Sequence, residues 1–526
     1  MKILYVNPSR IKSGLDAIIK GPPLNLVTIA AMVPEHEATL FDFKVQKYKE
    51  NRFRTMLNQA DVVAITSMTP QISHAFEVAE MAKKQGCTTI MGGYHPTLAP
   101  DYVAKHPAVD YTIRGEGEYT FRELIQHLDG NKNLRSLKDI DGVSYKNKEG
   151  KVLHNQDRRL ELNLDNFPMP RRDLLDDSRY VYLGARVAQL ESSRGCPHNC
   201  KFCCIIKMWR NPDRPITYRT KSTLRIMQEI YDIDWKNDFI FFCEDNFTVK
   251  IKRTKEILDT IIRSGVPNKM YFSCQSRVDT LYRNQYLIDL MHKAGMRQVF
   301  LGIESVHQQS LDAMNKQNTT PEMVRKVVSL LQDRGISIFG GVIIGFPGET
   351  KTMVRQNIQF ARSLNLTCIQ FTPITAFPGT EFYDEMKANN MVTSNDYSHY
   401  DLFHPMLRTE QLTNNELFHL VGEAYSAYYL SKKSWLKMMM KRYINPFGEF
   451  NWMGKNIPRF AKTVIRSGVD MLHSMGMTSS IISDEMNEIM EKAEAEKNTN
   501  GKPIIKKPSE SFPIPEKIVK SAKVTN

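Results

Sequence analysis

Ser193-Arg194-Gly195-Cys196-Pro197-His198-Asn199-Cys200-Lys201-Phe202-Cys203 places three cysteines at CxxxCxxC spacing within eight residues. Thiolates this close in sequence are expected to converge on one point, and thiolates bind soft metals or iron–sulfur clusters. Three protein ligands leave one iron of a 4Fe-4S cube without a thiolate, free to chelate a small molecule. Structural zinc takes four ligands, commonly as two separated pairs. A fourth from His198 or the adjacent Cys204 would be crowded. A zinc knuckle or a purely structural cluster is the plainer alternative.

Working outward, short apolar runs alternate with helical stretches. Downstream of about residue 185 the candidate strands are Ala188–Ser192, Asp238–Phe242, Met270–Cys274, Gln298–Ile303, Ser337–Ile344 and Thr367–Pro373. Six successive βα units predict a barrel or partial barrel, whose chemistry sits on the loops that follow the strands. The cysteine cluster lies just after the first of these strands. Upstream, Lys2–Asn7, Asp61–Ser67 and Thr88–Met91 read as strands, and Ile72–Gln85 has helical apolar spacing. This pattern implies a parallel sheet covered on both faces, with its ligand site at the carboxyl ends of the strands.

The intervening residues, about 131 to 180, are polar and turn-rich and read as a hairpin plus linker. Past residue 400 the strand signal fades; Glu410–Leu430 looks helical. From Ser431 to Gly476, lysines and arginines far outnumber Glu449 and Asp470, and they alternate with Trp435, Phe447, Phe450, Trp452 and Phe460. Such interleaving suits a segment lying at lipid headgroups, an RNA contact, or a helical cap packed on the barrel. The Lys/Pro/Ser-rich end from 491 reads as a disordered tail.

Composition sets outer bounds. The 526 residues are 41% hydrophobic and 25% charged, which is ordinary globular usage. No run reaches the roughly 18 apolar residues of a membrane span, and MKILYVNPSR lacks a secretory pattern. A cytoplasmic protein with peripheral membrane contact is expected. The net charge of +13 favours anionic partners. Eight cysteines are too few for a disulfide scaffold. Cys243, Cys274 and Cys368 fall near strand ends, where they could approach one another inside the barrel or serve as small buried hydrophobes.

Ser193 through Cys203, with an aromatic just before the last cysteine, resembles the signature of the radical S-adenosylmethionine (SAM) superfamily. The resemblance implies that Cys196, Cys200 and Cys203 hold a 4Fe-4S cluster, that SAM chelates the open iron, and that Phe202 packs near the adenine. It also implies SAM contacts at Glu244, in Glu244-Asp245-Asn246 after the second strand; at Ser273, Gln275 and Arg277 at the end of the third; and at Glu304, in Gly302-Ile303-Glu304-Ser305. Gly341, in Gly341-Val342-Ile343-Ile344-Gly345-Phe346-Pro347-Gly348-Glu349, matches the strand that lies against the adenine, where glycine permits close approach of a ring.

The first 130 residues resemble the cobalamin-binding domain that precedes the barrel in a large subclass. The matching stretches are Gly21-Pro22-Pro23-Leu24, Ser67-Met68-Thr69-Pro70, Gly92-Gly93-Tyr94-His95-Pro96-Thr97 and Arg114-Gly115-Glu116-Gly117-Glu118. They imply cofactor contacts at Pro23, Ser67, Thr69, Gly92, Gly93, His95, Gly115 and Glu116. The cobalt-ligating Asp-x-His-x-x-Gly of other cobalamin domains does not occur. His95 is either a cofactor contact or a structural loop histidine.

The expected fold is α/β: a Rossmann-like parallel-sheet cobalamin-binding domain (1–135), a hairpin and linker (136–184), a partial (β/α)6 radical SAM barrel (185–395), a helical basic carboxy-terminal domain (396–490) and a disordered tail (491–526). The layout resembles the lipid-modifying branch of hopanoid methylases and archaeal tetraether-lipid ring synthases. The implied activity is methylation of an unactivated carbon of a small-molecule, lipid or isoprenoid substrate. It uses a 4Fe-4S cluster, SAM and cobalamin, with a reductase, ferredoxin or flavodoxin as electron donor. Lipid ring formation, tRNA modification and a non-catalytic iron–sulfur protein are the alternatives. Nucleic acid is otherwise not an expected partner.

Overall fold

In KILYVN (Lys2–Asn7) every residue after the first is buried, the mark of a central parallel strand whose two faces are both covered. The computed structural model describes residues 1–9, 19–130, 136–182, 185–209, 218–233, 239–316 and 319–430. The basic segment 431–476 and the tail from 491 lie outside the described residues. In chain order the first strands are β1 (Lys2–Asn7), β2 (Ile19–Lys20), β3 (Glu37–Asp42), β4 (Val62–Thr66), β5 (Thr88–Gly92), β6 (Tyr111–Ile113), β7 (Val143–Lys146) and β8 (Val152–His154). There follow β9 (Val181–Tyr182), β10 (Ala185–Leu190), β11 (Ser193–Arg194), β12 (Arg219–Thr220), β13 (Phe239–Phe242), β14 (Tyr271–Ser276), β15 (Met296–Glu304), β16 (Ser337–Ile344) and β17 (Cys368–Pro373).

The first sheet has the order β3-β1-β4-β5-β6-β7-β8. The five strands up to β6 are parallel, and the β7–β8 hairpin adds antiparallel to β6. Period-2 alternation sends Leu4 and Val6 to one face, against helices Glu50–Asn58 and Ile72–Lys84, and Ile3 and Tyr5 to the other, against helices Leu24–Ala30 and Glu118–Leu128. The order reverses between β1 and β4, so the crevice at their carboxyl ends is the place where such sheets bind ligands.

The second sheet has the order β17-β16-β15-β14-β13-β10-β9-β2. Its six strands from β10 to β17 run parallel and form the partial barrel. Helices Thr223–Asp232, Pro321–Asp333 and Lys351–Ser363 begin at Ser222, Thr320 and Thr350, whose hydroxyls accept from backbone N–H groups three residues on. Their apolar faces join the core that holds Val299, Leu301, Ile303, Val342 and Ile344, the latter two helices packing on β16. Phe300, Gly302, Glu304, Phe339, Gly341 and Ile343 alternate with these and line the inner face.

Two features cross the expected domain limits. The hairpin of the linker region extends the first sheet. Conversely, β2 leaves the first domain and pairs antiparallel with β9, at the edge of the barrel sheet. At the far edge, helix Asn414–Tyr425 and the π-helical turn Ser426–Leu430 lie over β17. Tyr425 Oη accepts from Phe371 N at 3.2 Å, and Tyr429 Oη both accepts from Ile369 N (2.8 Å) and donates to Ile369 O (2.7 Å). The three late cysteines do not meet. Cys274 points into the helix layer, Cys368 lies on the opposite face, and Cys243 packs against the core of the first domain.

Candidate active site

The cysteines sit in a loop that leaves the carboxyl end of β10. Its stem is the antiparallel pair β11–β12, with Arg194 opposite Arg219. The loop is pinned from below: Lys201 N donates to Met314 O at 3.2 Å, Phe382 N donates to Lys201 O at 3.4 Å, and Cys200 lies 3.9 Å from Asn315 O. All three thiols are free; Cys200 is buried and the other two half-buried. Burial, followed by the neighbouring charges Asp245 and Cys200, pushes the Cys196 thiol up; burial, followed by Cys204, pushes Cys203 well up. Such thiols ionise only with a metal to compensate them.

Among the described residues no three His, Cys, Asp or Glu side chains are grouped closely enough to hold a single metal ion. A cubane takes one thiolate per iron, and its ligands stand apart by the width of the cluster. Three free thiols on one short loop, with no fourth ligand grouped with them among the described residues, fit that donor set better than a closed zinc site.

The inner face brings the remaining barrel candidates together. Ser273, Gln275 and Arg277 are alternate residues on and just after β14, on the face opposite Phe272 and Cys274. Gln275 Nε2 donates to Glu244 O at 3.3 Å, and Ser273 Oγ lies 3.4 Å from Gln298 Oε1. Arg277 is held by Asp279 at 2.9 Å, and Glu304, at a positive φ of 62°, by Lys316 at 2.7 Å. Glu244 is buried and accepts from the hydroxyl and N–H of Ser192; burial pushes its carboxyl up. The next residue, Asp245, is pushed up to about 7 by burial and then by Glu244. Gly341 does face a ring, that of Phe300, whose Cζ lies 3.0 Å from where a Cβ would stand. Phe202 packs 6.3 Å from Phe346 in a cluster with Ile374 and Phe382.

Opposite stands the carboxyl edge of the first sheet. Helix Tyr94–Leu98, just past β5, packs on helix Ile205–Met208 of the cysteine loop. Gly93 adopts φ 106°, and a Cβ there would fall 2.9 Å from Thr66 Oγ1 and 3.0 Å from Ser67 N, so only glycine fits. Gly92 precedes it at the end of β5. Gly115 has φ 70° and donates its N–H to Thr97 Oγ1 at 3.0 Å. Pro23 stands at the start of helix Leu24–Ala30 and Ser67 is buried, its hydroxyl on Met68 O. His95, however, is fully buried rather than displayed at the edge. It makes ring contacts with Tyr397 (4.6 Å) and Tyr102 (5.8 Å) and has Thr69 Oγ1 at 3.4 Å; burial lowers it to about 4. Its placement is that of a structural loop histidine. Glu116 is likewise buried, and its carboxylate is taken up by Arg194 and Arg219.

Sequence reasoning passed over Glu349 as a functional group. Fully buried, its carboxylate accepts from Gly345 N (3.1 Å), Phe346 N (3.2 Å), Ser305 Oγ (3.0 Å), Ser310 Oγ (3.0 Å) and Asn357 Nδ2 (3.3 Å). It fixes the loops after β15 and β16. A Gly-Phe-Pro-Gly-Glu turn at a strand end was the available signal. Arg194 and Arg219 were also missed, because their partners lie 78 and 103 residues away.

Comparison with known proteins agrees with this two-part site. Residues 190–361 match the radical SAM superfamily and residues 19–125 the B12 binding domain. An uncharacterized methyltransferase of Pyrococcus horikoshii is 32% identical over 83% of this chain and 94% of its own length. The anaerobic magnesium-protoporphyrin IX monomethyl ester cyclase of Rubrivivax gelatinosus is 26% identical, over 82% of this chain and 78% of its own. The hopanoid C-3 methylase of Methylococcus capsulatus is 27% identical over 78% and 76%. In fold, the radical SAM methyltransferase TsrM of Kitasatospora setae, solved with cobalamin and a [4Fe-4S] cluster, superposes with a TM-score of 0.64 at 15% identity, over 95% of this chain and all of that one. A 4Fe-4S cluster, SAM and cobalamin are the cofactors of this protein. With a relative of that similarity along most of its length and both domain models matched in order, the chain belongs to the radical SAM superfamily, in the subclass that carries a cobalamin-binding domain ahead of the barrel.

Proposed function

We propose that this enzyme is a C-methyltransferase that acts on an unactivated carbon of an uncharged small molecule, a lipid or isoprenoid first among the candidates. The observation that carries the reading is the facing of two edges: the thiol loop after β10 and the cobalamin-type edge after β5 pack directly on one another through helices Tyr94–Leu98 and Ile205–Met208. A methyl donor on one edge and a hydrogen-abstracting site on the other would thus share one substrate carbon. When bound, the cluster and SAM supply a carbon radical able to take hydrogen from an unactivated C–H bond, and cobalamin supplies the methyl group.

The chain's own part is to hold and to exclude. Cys196, Cys200 and Cys203 would ligate the cluster. Gln275, Arg277 and Glu304 stand on the inner face to orient SAM, with Arg277 and Glu304 already neutralised by Asp279 and Lys316. Gly341 leaves room for the Phe300 ring, beside which the adenine would lie. Phe300 and Phe339, with ring centres 5.3 Å apart, and Ile343 put an apolar patch on an inner wall that also carries Ser273 and Gln275. Such a patch suits an aliphatic part of a substrate.

The test is anaerobic turnover with methyl-labelled SAM and lipid extracts of a deletion strain. Label should enter a product whose unmethylated form accumulates in that strain, and Cys200→Ala should stop formation of 5′-deoxyadenosine. Product without label would favour ring closure, the chemistry named for the cyclase relative. A Cys200→Ala protein that still cleaves SAM would end the whole reading.

A further inference from the structure

The cysteine loop has a narrow base. β11 enters it and β12 leaves it, paired at Arg194 and Arg219. A single carboxylate from the other domain takes hold of both strands. Arg194 Nη1 donates to Glu116 Oε1 at 2.8 Å, and Arg219 Nη1 lies 2.8 Å from each Glu116 oxygen. Glu116 belongs to the loop after β6, at the carboxyl edge of the cobalamin-type sheet. The neighbouring charges complete a balanced set. Glu118 and Glu191 also pair with Arg194, each at 2.7 Å, and Lys221 and Arg225 pair with Glu229 at 2.7 and 2.9 Å. Four cations thus face four carboxylates. Phe167 and Trp209 lie against the Arg194 guanidinium at 5.0 and 5.7 Å and shield it from water. Of these carboxylates only Glu116 reaches both strands of the stem.

We propose that Glu116 is a positioning residue: it clasps the base of the cysteine loop to the first domain and so sets the register between the cluster and cobalamin. The inference rests on reading Cys196, Cys200 and Cys203 as the cluster ligands. Buried ion pairs contribute little net stability but are costly to break from one side, because the abandoned charge stays buried. Removing the charge of Glu116 leaves the buried Arg219 guanidinium without its carboxylate and breaks the tie from Arg194, still held by Glu118 and Glu191, to the opposite strand, and the loop opens to hydrate Arg219.

The experiment uses the full-length protein without metal, reduced and anaerobic. A thiol-alkylating reagent is added and labelling of each cysteine is followed by peptide mass spectrometry. Glu116→Gln should label Cys196, Cys200 and Cys203 roughly tenfold faster than the parent, the effect of easing local opening by about 1.4 kcal/mol. Cys87, buried in the core of the first domain, is the internal reporter and should keep its parent rate. Glu229→Gln is the comparison: it removes a fully buried carboxylate from the same charge set without touching Glu116. Its cluster cysteines should label at the parent rate.

Equal rates in Glu116→Gln and parent overturn the proposal, as does an equal acceleration in Glu229→Gln. Should Glu116→Gln speed Cys87 as well, Arg219→Lys keeps the charge and loses the shared two-oxygen contact. It must then loosen the three cysteines alone, and a parent-like result there also overturns the clasp. Failure of the underlying ligand reading shows separately, as a reconstituted parent that does not cleave SAM.

Discussion

Acidification addresses His95 directly. The folded protein keeps this imidazole neutral down to about pH 4, because its ring is buried with no acid beside it. Thr69, Tyr102 and Tyr397 are its contacts, and the Asp396 carboxylate acts on Tyr102. The unfolded chain protonates it near the ordinary value of 6.5. Between those two pH values the unfolded state holds the extra proton, so stability rises with pH across this window and is lost as pH falls. At about 1.4 kcal/mol per pH unit, the loss reaches about 2 kcal/mol at pH 5 and about 3 kcal/mol at pH 4, with nothing lost above pH 7. The perturbation is His95→Gln, which keeps a polar group near Thr69 and cannot titrate. Urea unfolding of parent and variant, followed by circular dichroism at pH 7, 5.5 and 4.5, cancels the other carboxylates in the difference. The parent's stability relative to the variant should fall along that curve. Parallel pH profiles would refute the reasoning, since they require an imidazole that accepts its proton in the folded state.

Three further substitutions probe other joints. Glu349→Ala strips five donors of their acceptor in a dry site and should cost roughly 3–5 kcal/mol, read as a lowered urea midpoint. Tyr429→Phe leaves Ile369 N–H and C=O at a sheet edge without their partner. It should cost roughly 1–3 kcal/mol and speed hydrogen exchange at Ile369 with little change along β14. Gly341→Val drives side-chain carbons into the Phe300 ring and narrows the inner face. SAM affinity, measured by equilibrium dialysis, should drop about tenfold or more while iron content stays at the parent value.

Much of this architecture was readable because parallel strands covered on both faces are runs of apolar residues. Ser337–Ile344 matches its strand end for end, and Thr367–Pro373 differs by one residue. Glu37–Asp42 escaped notice because its first half, Glu37-Ala38-Thr39, is polar or small and its apolar part is only Leu40-Phe41. β2 and β9 are two residues each, too short for any period to register. Among the candidate residues, Ser273, Gln275 and Arg277 share a face because their spacing of two is a strand property. Glu116 and His95 stood at the right loops, but what surrounds them could not be read from spacing. The arginines that claim Glu116 belong to the barrel, and Tyr397, which covers His95, comes from beyond its last strand. Contacts between residues that far apart in the chain leave no local pattern.

The strand exchange at β2 bears on how this protein can be handled. Residues 19 and 20 are spoken for by Tyr182 and Val181, while the hairpin at 143–154 finishes the other sheet. The polypeptide is thus laced through both halves, and no single cut yields two intact pieces. Truncation at residue 185 would deprive the barrel of its outermost rungs and bare a fresh hydrogen-bonding border, an invitation to aggregate. Anyone wishing to study the SAM-cleaving half by itself should keep the amino-terminal forty residues or supply them in trans.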